Sequence, residues 1–159
     1  KMKSKLFSLA LLILIIAGCK KEDETSTPIA PVGCSSILPN KLSVKVDGQS
    51  WCADQTCFGD LAIVMTINGI NSNGSTLTLE LDDFTPGTYP INQDQNHILY
   101  TSSLAMAYES TNSNAGTLVI TSNDTTSNLI KGTINSTLHN PLGGDVALTE
   151  GTFSIYYTE

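Results

Sequence analysis

From Lys41 to the end of the chain, apolar residues recur at every second position, not every third or fourth. A period of two places alternate side chains on opposite faces of a strand, so this alternation admits sheets and excludes amphipathic helices. Leu42, Val44 and Val46 alternate with Ser43 and Lys45. Asp47-Gly48 then supplies a two-residue hairpin turn, and Gln49 to Ala53 returns. Leu61, Ile63, Met65 and Ile67 form the next alternating run, followed by a turn from Asn71 to Gly74 and a run of Leu77, Leu79 and Leu81. Thr88 to Ile91 contains Pro90, which has no backbone donor and belongs on a sheet edge. Leu104, Met106 and Tyr108 share one parity; Leu118 to Thr121 and Leu129 to Leu138 read as further strands.

In the closing segment Val146 and Leu148 are even-numbered, whereas Phe153, Ile155 and Tyr157 are odd. One extra residue must therefore be absorbed near Glu150-Gly151, and a β-bulge does this. Lys131-Gly132-Thr133-Ile134 echoes Glu150-Gly151-Thr152-Phe153, which reads as two facing strands of a hairpin. About ten short strands separated by Gly, Asn, Pro and Ser turns predict an all-β domain, an antiparallel β-sandwich or partly open barrel, over residues 41–159.

The other end of the chain has a different character. Lys1, Lys3 and Lys5 precede an unbroken apolar run from Leu9 to Ala17, the charge-then-apolar order of an export signal. Lys1 stands before Met2, the expected initiator. Even counted from Leu6 the run is far shorter than the roughly 20 residues a helix needs to cross a bilayer. It ends in Ile16-Ala17-Gly18-Cys19, which resembles the lipobox of bacterial lipoproteins. Ala17 and Gly18 are small enough for a peptidase to reach the backbone, and the Cys19 thiol is the nucleophile that accepts a diacylglyceryl group. The expectation is a signal peptide over residues 1–18, lipidation of Cys19, and attachment to a membrane through the acyl chains, two or three of which make release negligible.

Residues 19–40 read as a tether. Lys20, Lys21, Glu22, Asp23 and Glu24 are followed by Thr, Ser, Pro and Gly with almost no large apolar side chain before Ile37, too little to offset the entropy of ordering. A lysine followed by acids at this place resembles the surface-export signal of Bacteroidota lipoproteins, which predicts an outer-membrane anchor with the domain facing outward; a periplasmic facing is the alternative. Losing the three leader lysines takes the formal charge from −7 to −10, and the chain has no arginine. A nucleic-acid partner is thereby disfavoured, because phosphate neutralisation needs a basic patch.

The ordered series Val46-Asp47-Gly48 with Trp51, Pro86-Gly87-Thr88-Tyr89, Gly116-Thr117-Leu118-Val119-Ile120, Gly132-Thr133 and Gly151-Thr152-Phe153 resembles a family of small, uncharacterised Bacteroidota lipoproteins. The resemblance covers most of residues 41–158 and implies an envelope location and an all-β fold. It carries over no catalytic residues. This sequence departs from the pattern at Ile134, where an aromatic is commoner, and in the stretch from Cys52 to Cys57.

No motif proposes a reaction. The histidines, His97 and His139, lie in polar surroundings, without a Gly-x-Ser-x-Gly turn. Zinc favours paired Cys or His at short spacing, and neither histidine has such a pair nearby in sequence. Asp82-Asp83, and Asp54 with Asp60, are the candidates for calcium, but they lack the Asp-x-Asp-x-Asp-Gly loop. Of the aromatic side chains, Trp51 shares the inner parity of its hairpin with Ala53, and Tyr156 has the outer one. No cofactor is implied. Cys34, Cys52 and Cys57 remain after lipidation, enough for one intramolecular disulfide in an exported protein. Cys52 with Cys57 is the favoured pair because Asp54-Gln55-Thr56 is turn-prone; Cys34 with Cys57 is the alternative. The functional expectation is a membrane-anchored, non-catalytic module that binds a protein or polysaccharide or acts structurally. A hydrolase or a transporter-accessory lipoprotein acting on an extracellular polymer is the alternative.

Overall fold

A computed structural model describes residues 37–159; the expected signal peptide, Cys19 and nearly all of the tether lie outside the described residues. The described part is all-β, with no helix. Its strands are β1 (Lys41–Val46), β2 (Gln49–Cys52), β3 (Thr56–Leu61), β4 (Met65–Ile70), β5 (Thr76–Leu81), β6 (Gly87–Ile91), β7 (Ile98–Thr101), β8 (Ala107–Ser110), β9 (Gly116–Asp124), β10 (Leu129–Asn140) and β11 (Gly144–Thr158). All eleven belong to one hydrogen-bonded sheet in the order β2-β1-β11-β3-β4-β5-β7-β8-β10-β9-β6, and β10 also pairs with β11.

That extra pairing lets a single sheet enclose a core. The long hairpin β10–β11 changes outer partners along its length: β11 pairs with β1 from Leu148 to Ser154 and then with β3 at Tyr157 and Thr158. β10 pairs with β9 from Leu129 to Asn135 and then with β8 at Leu138 and His139. Hydrogen bonds therefore run in a ring through β11, β3, β4, β5, β7, β8 and β10, with β1–β2 and β9–β6 as flanks. The two reported forms of the expectation, sandwich and partly open barrel, meet in this arrangement: two sheet halves joined at opposite ends of the hairpin. The β11–β3 joint is parallel, unlike the antiparallel pairs elsewhere. Pro90 lies on β6, the edge strand, as its missing donor requires.

One apolar cluster fills the interior, drawing Leu42, Val44 and Trp51 from one flank, Met65, Ile67, Leu77 and Leu79 from the far half, and Ile130, Ile134, Phe153 and Ile155 from the hairpin. The buried Trp51 satisfies its indole by donating Nε1–H to Ser75 Oγ at 2.7 Å. The parity change in β11 occurs at the expected place. Between Ile134↔Gly151 and Ser136↔Leu148, β11 contains one residue more than β10, and Glu150 has φ of 52°. The two Gly-Thr motifs face each other, with Gly132 opposite Phe153 and Ile134 opposite Gly151. Each glycine leaves the space its neighbour's side chain fills: a Cβ at Gly132 would run into the Phe153 ring, and one at Gly151 into Ile134.

Three local features differ from the sequence pattern. The run from Leu61 to Ile67 is two strands, because the chain turns at Ala62 to Val64 and leaves Ile63 at the tip, 96% exposed. Leu104 and Met106 belong to a turn: Ala105 adopts φ of 60°, its N–H donates to the Ser102 carbonyl, and Leu104 is 83% exposed. Only Ala107–Ser110 is strand there. β7 lies in a stretch without a long apolar run, since it is four residues following an Asn- and Gln-rich loop.

Candidate functional site

Even-numbered residues of β7, β8 and β10 point inward, so their odd-numbered neighbours form an outer face. Across that face runs a row of ionisable side chains. Glu80 on β5 lies beside His97, whose carbonyl accepts the Glu80 backbone N–H at 2.8 Å. His97 Nδ1 is 3.9 Å from Glu80 Oε2, and its Nε2 is 3.7 Å from Glu109 Oε2 on β8. Glu109 is the register partner of His139 on β10, and His139 is the register partner of Asp145 on β11. His139 Nδ1 lies 2.7 Å from Asp145 Oδ1. With the carboxylate ionised, that nitrogen carries the proton and donates it, leaving the lone pair on Nε2. The order across the sheet is thus acid, histidine, acid, histidine, acid. Among the described residues, no three His, Cys, Asp or Glu side chains are already gathered on one point.

A second feature sits where β10 leaves β9. An open cleft of about 270 Å³ is lined by Gly116 and Thr117 of β9, Asn135 to Thr137 of β10, and Ala147 to Thr149 of β11. Its polar lining is neutral: hydroxyls of Thr117, Ser136, Thr137 and Thr149, and the Asn135 amide. Asn135 Oδ1 accepts the Glu150 N–H at 3.1 Å, so the bulge fixes this side chain. Ser136, also in the lining, is buried, and its hydroxyl has no hydrogen-bond partner. Such an orphan costs about 1–3 kcal/mol unless something else meets it.

Residues 40–155 match a protein family described as a domain of unknown function, DUF6252. The chain belongs to this family. No curated protein and no solved structure matches it. The first described hydrogen-bonding residue of the DUF6252 domain is Asn40: its Nδ2 donates to the carbonyls of Cys57 and Tyr156, and its Oδ1 accepts the Tyr156 N–H. One buried side chain thereby ties the β11–β3 joint together.

The DUF6252 fold assigns different duties to the other sequence candidates. Asp82 and Asp83 hold the loop before β7: Asp82 Oδ2 accepts the Asn96 N–H, and Asn96 Oδ1 accepts the N–H groups of Asp82 and Asp83. Asp54 caps the β4–β5 turn by accepting from the backbone and hydroxyl of Ser72. Asp60 Oδ1 accepts the Thr158 hydroxyl at the parallel joint. Trp51 is core, and Tyr156 is half exposed, each on the face its parity indicates.

The cysteines depart from the expected pairing. Cys57 is a free thiol, so the Cys52–Cys57 bridge does not form, nor does the Cys34–Cys57 alternative. Cys52 is itself disulfide-bonded. The physical reason lies in the four residues between them, Ala53 to Thr56. They do not form a local turn; they carry the chain from β2 on the flank to β3 in the other half, with the Gln55 N–H donating to the Ile70 carbonyl on the way. Partial burial pushes the Cys57 thiol up to about 11, against an opposing pull from Lys41.

The acid–histidine row was invisible to motif spacing because its members come from five separate strands or strand ends. The signal lay in register: Glu80, Glu109, His139 and Asp145 each have the outward parity of their strand, and His97 immediately precedes β7.

Proposed function

We propose that this chain is a bacterial cell-envelope lipoprotein, held in the outer membrane by acyl chains on Cys19, whose DUF6252 domain is a non-catalytic module that binds polysaccharide. The observation that carries the binding reading is the neutral hydroxyl- and amide-lined cleft at Thr117, Asn135, Thr137 and Thr149. Neutral donors and acceptors complement sugar hydroxyls and give no advantage to phosphates or basic peptides. Its volume of about 270 Å³ lies just below the usual range of ligand pockets, about 300–1,000 Å³, so it suits one ring of a polymer and not a long segment. Both histidines sit against carboxylates on an open sheet face, which supports a binding module over a hydrolase.

Glycan-array binding by the purified protein tests the module, with Thr149→Arg and Thr137→Trp as variants that fill the cleft. Saturable binding to a neutral glycan that both variants abolish is the expected result; a variant-insensitive signal, or no glycan bound, refutes the cleft. Anchoring is tested separately. Labelled palmitate should mark the wild type and not Cys19→Ala, and a non-permeant protease should remove the domain from intact cells. Protection until the outer membrane is opened would place the domain on the periplasmic side.

A further inference from the structure

We propose that His97, Glu109 and His139 take a divalent transition-metal ion of the zinc, copper(II) and nickel(II) class, with Glu80 and Asp145 as supporting carboxylates. The two histidines of the chain stand on either side of Glu109, His97 just before β7 and His139 facing it in register from β10. Each imidazole has an outer acid beside Nδ1: His139 is hydrogen-bonded to Asp145 Oδ1 at 2.7 Å, and His97 lies 3.9 Å from Glu80 Oε2, a distance that a side-chain rotation must close. Metal-ligating histidines characteristically donate their second nitrogen to a carboxylate, which fixes the tautomer and raises the basicity of the ligating one. Here that leaves Nε2 of each ring free of its outer acid, and His97 Nε2 lies 3.7 Å from Glu109 Oε2.

The spacing is close to a chelate. Zinc binds imidazole nitrogen and carboxylate oxygen at about 2.0–2.2 Å, which in tetrahedral geometry separates two ligand atoms by about 3.4 Å. His97 Nε2 and Glu109 Oε2 are already 3.7 Å apart. The third ligand needs a movement, because the donors lie in line and do not yet converge. Glu109 and His139 are directly opposite residues of antiparallel strands, whose Cβ atoms are about 4.5–5.5 Å apart, so rotation of two exposed side chains brings Nε2 to the ion. Two imidazoles and a carboxylate with water in the remaining position select borderline ions over calcium and magnesium, which require more oxygen ligands.

Isothermal titration of the full chain with zinc chloride, in a chelator-free buffer, tests the site. One ion per chain is expected, with His97→Gln, His139→Gln and Glu109→Gln each weakening binding at least tenfold. Glu80→Gln and Asp145→Asn are expected to weaken it by about 10- to 100-fold through the ligating rings. Affinity should fall on acidification, because imidazole ligates only when neutral. Cys57→Ser should leave binding unchanged. Absence of saturable binding, binding unaltered by both histidine replacements, or binding lost in Cys57→Ser overturns the proposal. Copper(II) electron paramagnetic resonance of the wild-type chain gives an answer independent of variant folding: superhyperfine splitting from two imidazole nitrogens is expected, and a spectrum without it refutes the site.

Discussion

The β10–β11 hairpin and the joints at its two ends are made of the same backbone but secured differently. Along the hairpin, register is over-determined: Gly132 accommodates Phe153, Gly151 accommodates Ile134, and a bulge at Glu150 fixes where inward parity changes. A one-residue slip there would place large side chains against each other and turn the apolar set outward. At the joints, β11 meets β3 only at Tyr157 and Thr158, and β10 meets β8 only at Leu138 and His139. Side chains supplement the short ladders: Asn40 and the Asp60–Thr158 hydrogen bond at one end, and the Asn140 Nδ2 bond to the Ala107 carbonyl at the other. The seam therefore supplies cooperativity, and the joints set the weakest route by which the ring opens.

The strongest test of that contrast is Phe153→Ala, which removes the ring from the space above Gly132 and should cost about 3–5 kcal/mol in chemical denaturation. A loss under 1 kcal/mol would mean that the seam does not dominate. Gly132→Ala should cost less, about 1–3 kcal/mol, because its methyl would meet both the Phe153 ring and the Val119 carbonyl. The double variant sharpens the point: with the ring gone, the methyl's clash with Phe153 is relieved while that with the Val119 carbonyl remains, so the two losses should combine to less than their sum. Strict additivity would show that the residues do not fill one shared space.

Asn40→Ala moves the test to the parallel joint. It removes one buried amide that serves two carbonyls and an N–H of β3 and β11, and should cost about 1–3 kcal/mol. Native-state hydrogen exchange should show its effect concentrated at Tyr156 to Thr158, with β10 amides protected as before. Uniform loss of protection would mean that joint and seam open together.

The seam was legible in the sequence and the joints were not, for a physical reason. Period-two alternation and the parity change between Leu148 and Phe153 are local facts, and the repeated Gly-Thr motif pointed to strands that face each other. A joint pairs residues such as Gly59 with Tyr157, almost a hundred positions apart and without a compositional mark. The same distance concealed the row from Glu80 to Asp145. Where local reading failed, backbone geometry overrode a plausible pattern. Leu104 and Met106 alternate as a strand would, yet Ala105 takes a left-handed conformation with nothing in its side chain to announce it. Cys52 and Cys57 looked paired because they are near in sequence, whereas the intervening residues cross between sheet halves.

Cys57 provides the smallest test, at the same joint that Asn40 secures. Burial raises its thiol from 9.0 to about 11, so the folded chain retains a proton that the unfolded chain releases. Below pH 9 both states hold it and the thiol has no effect on the pH dependence of stability. Between about 9 and 11 the unfolded state binds fewer protons than the native state, and stability falls as pH rises. The slope should be shallow because the site is only partly covered and Lys41 opposes the shift. Cys57→Ser removes this contribution and should flatten the alkaline limb between pH 9 and 11 relative to wild type, while leaving neutral-pH stability within about 1 kcal/mol. In parallel, iodoacetamide at pH 8 should label Cys57 slowly in the native protein and rapidly after unfolding, since the thiolate is the reacting form. If Asn40→Ala accelerates native labelling as much as full unfolding does, the joint opens independently of the seam; if acceleration is absent, Cys57 is shielded by the seam and the two regions are one cooperative unit.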